Sequence, residues 1–127
     1  MVIALVHEMT FLYILTSHWI GDFVFQSRYL ADRKSKDFFI LLCHVLLYTA
    51  AVAVGLALAL GTITDPDIGR FLTVNFFAHF ITDAITSRIT TRLYAGGHIY
   101  FLFTTIGFDQ LLHTSILYAS YYLIFVK

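Results

Sequence analysis

Four long apolar stretches restrict what this chain can fold into more than any other feature of the sequence. They cover approximately residues 2–26, 38–60, 71–87 and 105–126. Each is close to the roughly 20 residues that a helix needs to cross the hydrocarbon core of a bilayer. Because lipid offers no partners to backbone polar groups, all four are predicted to be helices. The sequence therefore predicts an all-α integral membrane protein, a four-helix bundle with four transmembrane spans and a single domain over residues 1–127.

The composition excludes several classes of protein. Hydrophobic residues make up 59% of the chain and charged residues 13%, whereas soluble domains average roughly 45–50% apolar and about 25% charged residues. So little charge would not cover the surface of a soluble enzyme of this size. The formal net charge is zero, which argues against binding to a nucleic-acid backbone. Membrane lipids are the expected partners.

The charges between the apolar stretches predict an orientation. Six of the eight Lys and Arg residues flank two connections, residues 27–37 and 88–103. By the positive-inside rule, both connections lie in the cytoplasm and both termini lie outside. The aromatic, glycine-broken segment 94–101 is predicted to lie at the interface, before the last span. A homodimer is a further expectation, because Gly55 with Ala51 or Ala59 has the spacing of small residues that seat a second helix.

Histidine and aspartate recur inside the apolar stretches at a spacing of four residues. The pairs are His18 and Asp22, His79 and Asp83, and Asp109 and His113, with His44 alone in the second stretch. A spacing of four places each pair on one helix face. At 1.5 Å per residue, all of them fall in one slab roughly 7–15 Å below the cytoplasmic face, with each Asp nearer the cytoplasm than its His. An aspartate layer and a histidine layer are therefore expected to meet inside the bundle.

Such a layer must be paired, hydrated or bound to metal, since each charged group in the bilayer costs about 2.5–3.5 kcal/mol. Imidazole nitrogen and carboxylate oxygen are ligands of Zn²⁺, Fe²⁺ and Mn²⁺, and the same set fits a two-metal site that activates water. The predicted metal ligands are His18, Asp22, His44, His79, Asp83, Asp109 and His113. The three aspartates would act as ligands or general bases, and Gln26 and Gln110 would orient water or substrate.

Three functions fit these residues. The leading hypothesis is a metal-dependent hydrolase acting on a lipid or lipid-linked substrate, with Zn, Fe or Mn as cofactor. The alternatives are a proton or divalent-cation transporter or channel subunit, and a non-enzymatic membrane interaction module in which the pairs only hold helices together.

Two further groups of residues are interpreted more simply. Cys43 is expected to be a buried, inert thiol beside His44. The basic residues of the first connection are interpreted as topology determinants, which would also suit anionic lipid headgroups at the mouth of the site. These residues are Arg28, Arg33, Lys34 and Lys36.

The polar positions also carry a resemblance to a known family. The residues concerned are His18, Gly21, Asp22, Gln26, Lys34, Ser35, His44, Tyr48, His79, Asp83, Asp109, Gln110 and His113. In this pattern the chain resembles a family of small bacterial and phage membrane proteins, the domain of unknown function 3307. The resemblance covers nearly the whole chain and implies a multi-span protein of the bacterial inner membrane, but it implies no activity. A looser likeness, of site type alone, is to intramembrane metal hydrolases such as the alkaline ceramidases.

Overall fold

A computed structural model describes the backbone of residues 2–126 and the side chains of residues 6–126. Its elements are α1 (Val2–Trp19), a π-helical turn (Ile20–Val24), α2 (Arg28–Arg33), α3 (Phe38–Leu60), α4 (Pro66–Ala95), α5 (Ile99–Tyr121) and a second π-helical turn (Tyr122–Val126). The four long helices pack in the order α1, α3, α4 and α5, and α5 returns to contact α1. The predicted all-helical fold is confirmed.

Local capping signals set several of the helix ends. The Asp37 carboxylate accepts hydrogen bonds from the first backbone N–H groups of α3, and α3 ends at Gly61, which adopts a left-handed φ of 69°. Asp65 caps α4 in the same way, and Pro66 occupies its first turn. Both arrangements follow the preference for Asp before a helix, Pro at its start and Gly after its end.

Two glycines allow α1 and the turn that follows it to lie close against α3. A Cβ atom on Gly21 would lie 2.9 Å from the Cα of Tyr48, and one on Gly55 would lie 2.7 Å from the Cβ of Ser17. Gly55 and Ala51 are therefore buried inside the bundle. The expectation that they seat a second copy is wrong, because α1 already occupies that face. The homodimer itself stays a prediction.

The interior of the bundle has an apolar half and a polar half. The apolar core lies towards the chain termini and the 61–65 connection, and its members are Ile14, Tyr48, Val52, Leu56, Ile68, Phe71, Leu117 and Tyr121. The half beside the 27–37 connection contains buried His and Asp side chains instead. Large apolar side chains face outward over much of the surface, and Phe39 is 73% exposed.

One described helix meets a length and hydropathy test for a membrane span. It is α3, with a mean hydropathy of 2.3 over an 18-residue window. α4 and α5 each carry a His and Asp pair, and α1 carries His18, and these residues lower the average hydropathy of the three helices.

Helix α4 is longer than predicted, and the expected interfacial segment is not a separate element. The stretch 71–87 lies inside a helix that continues to Ala95, and α5 begins at Ile99. The prediction of a connection over residues 88–103 is wrong, because its limits were set by apolarity and a helix extends into polar sequence without difficulty. The chain turns over residues 96–98 alone, where Gly97 has a φ of 72°.

Candidate metal centre

Four buried side chains from three elements meet in the polar half of the bundle. They are Asp22 from the first π-helical turn, His44 from α3, and His79 and Asp83 from α4. The Nε2 atom of His44 lies 3.2 Å from Asp22 Oδ1, 3.1 Å from Asp83 Oδ2 and 3.3 Å from His79 Nε2. The Nε2 atom of His79 lies 3.6 Å from Asp22 Oδ1 and 3.8 Å from Asp83 Oδ2. Each of the four residues is at most 4% exposed.

Five of the six separations among these ligand atoms are close to the edge length of a tetrahedral metal site. Ligand atoms about 2.0–2.2 Å from a Zn²⁺ ion, in tetrahedral positions, are separated from one another by about 3.3–3.6 Å. The five distances between 3.1 and 3.8 Å bracket that range. Two imidazoles and two carboxylates thus have the identity and the spacing of metal ligands. A site that activates water takes three protein ligands and leaves the fourth position open.

A second group shares one residue with the first. It consists of Asp22, Asp109 and His113. The Nδ1 atom of His113 lies 2.9 Å from the carbonyl oxygen of Asp109, so Nδ1–H donates there and leaves the lone pair of Nε2 free. That Nε2 atom is buried without a hydrogen-bond partner among the described residues and lies 3.8 Å from Asp83 Oδ1. Metal-bound histidines are typically oriented by such a bond from the other ring nitrogen.

Local structure explains why Asp22 reaches the other ligands. It lies in a π-helical turn, a feature that is frequent at functional sites and covers Ile20–Val24 here. The neighbouring Gly21 lets this turn approach the backbone of Tyr48. The ring of Tyr48 in turn stacks on His79, with 3.7 Å between ring centroids and 11° between planes, which fixes the orientation of that imidazole.

Gln110 connects the two groups of ligands. Its Nε2 atom donates to Asp22 Oδ2 at 2.8 Å and to Asp109 Oδ2 at 3.1 Å. Its Oε1 atom lies 3.0 Å from His18 Nε2, so the imidazole N–H donates to it. His18 lies outside both ligand groups, and its hydrogen bond orients the Gln110 side chain. Its predicted role as a ligand stays a prediction.

Lys34 lies closer to the ligands than predicted from the sequence, which placed it only among the basic residues at the mouth of the site. Its Nζ atom lies 2.6 Å from Asp83 Oδ2 and 3.5 Å from His44 Nε2. The next residue, Ser35, is buried and accepts a hydrogen bond of 3.0 Å from Thr91 on α4, which holds the end of α2 over the site. The sequence contained one indication, the Lys34–Ser35 pair within the family-like pattern.

An open cavity of about 630 Å³ leads to these groups from the side of the 27–37 connection. Its lining includes Asp22, Asp83, Asp109, Gln26 and Gln110. The three histidines of the two groups do not appear among the described lining residues, so the aspartates lie nearer the opening. The Oε1 atom of Gln26 is buried without a partner among the described side chains. Cys43 is exposed, so the expectation of a buried thiol is wrong.

The chain matches the family model described as "Protein of unknown function (DUF3307)" over residues 10–127. The chain belongs to the DUF3307 family. The match includes every residue of both ligand groups, together with Lys34, Gln26 and Gln110. No curated protein and no solved structure matches the chain, so the chemistry of this DUF3307 member has to be inferred from its own site.

Proposed function

We propose that this DUF3307 protein is an integral membrane, metal-dependent hydrolase that acts on a lipid or a lipid-linked substrate. Asp22, His44, His79 and Asp83 would hold a divalent ion, Zn, Fe or Mn. The observation that carries the proposal is the close approach of ligand atoms from these four buried residues, two of which, Asp22 and Asp83, line an open cavity. Neither a lone ion pair nor ordinary helix packing requires four ligand atoms at that spacing.

The distribution of polarity supports a membrane setting with four spans. Fourteen polar or charged residues are buried, against eleven hydrophobic ones, while Leu58, Ile81 and Phe103 are each more than half exposed. A soluble globule of this size buries its apolar residues preferentially. The reverse pattern suits a bundle whose outer face meets lipid and whose interior contains a polar site. The proposed location is the bacterial inner membrane, with both termini outside.

The chemistry would divide between the ion and the side chains around it. A bound divalent ion polarises an ester, amide or phosphoester oxygen and makes water more acidic. Asp83 and Asp109 face the cavity and would act as ligands or as the general base for water. Gln110 is held by His18 and Asp22 and would orient water or substrate, while Gln26 offers an unpartnered Oε1 atom for the same purpose.

The extent of the polar interior favours a closed site over a conducting path. Beyond the histidines, the polar interior continues to Asn75, which donates to Ser120 at 2.9 Å. The apolar core, which includes Ile14, Phe71 and Leu117, then fills the rest of the bundle. A proton or cation path would need polar groups or water through that half as well.

Metal analysis of protein purified in detergent tests the proposal. Wild-type protein is expected to contain at least one divalent ion per chain, and His79→Ala is expected to lose it. His98→Ala is the matched control, because it removes an exposed imidazole at the start of α5. Wild-type protein with far less than one ion per chain, and no further loss in His79→Ala, would refute the metal site.

Two further measurements separate the alternative functions. Flux in proteoliposomes that Asp83→Asn abolishes, without any lipid turnover, would assign the protein as a transporter. If instead alanine variants of the ligands only lowered stability and the folded fraction stayed active, a non-enzymatic module would be the better description.

A further inference from the structure

The cavity combines charged and apolar surfaces in a way that restricts its ligand. Its described lining contains two lysines and four aspartates, Lys34, Lys36, Asp22, Asp32, Asp83 and Asp109. Two ammonium groups against four carboxylates leave a formal charge of minus two, which repels an anion. One divalent ion in the four-ligand group would cancel that charge, and a second ion at the Asp109 group would reverse it.

Lys34 occupies the position where this change of charge has its largest effect. Its side chain is only 13% exposed, and its Nζ atom contacts Asp83 Oδ2 at 2.6 Å. A metal ion that takes the same carboxylate as a ligand competes with this ammonium group. The bond between Ser35 and Thr91 holds the adjacent backbone in place, so a displaced Lys34 ammonium group remains within the cavity.

The cavity lining also offers apolar contacts. Phe23, Leu102 and Ile106 belong to its lining, together with Tyr94. The cavity therefore places apolar surface next to a polar floor. A ligand that is charged at one end and apolar at the other matches both surfaces.

We propose that the metal-loaded cavity binds the phosphate group of a phosphate-bearing lipid, and that the Lys34 ammonium group, released from Asp83, holds that phosphate. This inference rests on the proposed function and names its substrate class. A phosphate has several anionic oxygens, which can contact an ion and an ammonium group at the same time. The lipid chains would lie against Phe23, Leu102 and Ile106.

Binding of dioctanoyl phosphatidic acid to the purified chain in detergent, measured by calorimetry, tests this. We expect binding in the presence of Mn²⁺ or Zn²⁺ and none after metal removal. Lys34→Met is expected to weaken binding about 10- to 100-fold, the effect of losing one hydrogen bond to a charged group. The same variant is expected to bind metal at least as tightly as wild type, which a merely structural role of Lys34 would not produce.

The control variant is Arg33→Met, which removes a positive charge from the same connection. Arg33 is exposed, and its guanidinium group lies 4.8 Å from the centroid of the Tyr29 ring, so the effect should be less than about fivefold. Equal losses in the two variants, or binding that does not depend on metal, would overturn the inference. Dioctanoylglycerol that binds as tightly as the phosphatidic acid would do the same.

Two more outcomes separate this inference from the proposed function. Inorganic phosphate that binds as tightly as the lipid would assign the site to free phosphate and refute the lipid. Metal at full stoichiometry without phosphatidic acid binding refutes the inference alone, whereas the absence of metal refutes the proposed function and the inference together.

Discussion

Replacement of Gly21 by alanine tests whether the packing of α1 on α3 builds the metal centre. The new Cβ atom would lie 2.9 Å from the Cα of Tyr48 and 3.1 Å from the Cβ of Ala51. Neither atom can rotate away, so the two segments must separate by roughly 0.5 Å to restore ordinary contact, at a cost of about 1–3 kcal/mol. Asp22 is the next residue and would move with the turn, and metal–ligand distances tolerate only about 0.2 Å.

The matched control is Gly107→Ala, because nothing lies within 4 Å of a Cβ atom at this exposed position in α5. That change should stabilise the helix by about 0.5–1 kcal/mol. Because the helix gain applies to both variants, their free energies of unfolding should differ by the overpacking cost, about 1–3 kcal/mol, in denaturant titrations of detergent-solubilised protein. Metal affinity should fall in Gly21→Ala alone. Equal stability and equal metal affinity in the two variants would refute the link between this close approach and the site.

Three other perturbations address separate parts of the molecule. Asp22 belongs to both ligand groups. If it bridges two ions, metal analysis should find two ions per chain in wild type, one in His113→Ala and none in Asp22→Asn. Equal loss of metal in the two variants would contradict the presence of two sites. Gln110→Leu removes the N–H donor to Asp22 and Asp109, so the free energy of unfolding, measured in denaturant, should fall by about 1–3 kcal/mol. An unchanged unfolding midpoint would show that the two carboxylates do not need that donor. Gly55→Ala should lower the free energy of unfolding by about 1–3 kcal/mol and leave the mass of the protein in detergent unchanged, as measured by light scattering. If the variant instead dissociated from dimer to monomer without losing stability, Gly55 would lie at a dimer interface.

The four long helices were predictable because each contains a long apolar stretch, and the caps at their ends are a further signal in the sequence. Asp37 and the Asp65–Pro66 pair are standard starts, and Gly61 is a standard end. The end of α4 was missed because the polar threonines after Ser87 end the apolar stretch without ending the helix. The Thr91 hydroxyl bonds back to the Ser87 carbonyl oxygen at 2.8 Å, which accommodates a polar residue inside the helix.

The convergence of the ligands was predictable from periodicity, but their distances were not. The spacing of His79 and Asp83 places them on one face of α4, and both are buried as expected. Lys34 could not be placed in the same way, because it follows α2 in an irregular connection that has no period. Its position depends on the tertiary bond between Ser35 and Thr91. His18 was on the expected face, yet the length of one intervening side chain, Gln110, separates it from the ligand groups.

Helix α4 shows how an average over a whole helix conceals an apolar outer side. Its buried side carries His79 and Asp83, whereas Phe77, Ile81 and Ile85 on its outer side are 57–59% exposed. A hydropathy window mixes both sides, although in a bundle only the outer side would meet lipid. α3, which passes the test, contributes only His44 to the ligand group, while α4 contributes a His–Asp pair. The His–Asp pair on the buried side of α4 thus belongs to the site and is also one of the features that lower the mean hydropathy of this helix.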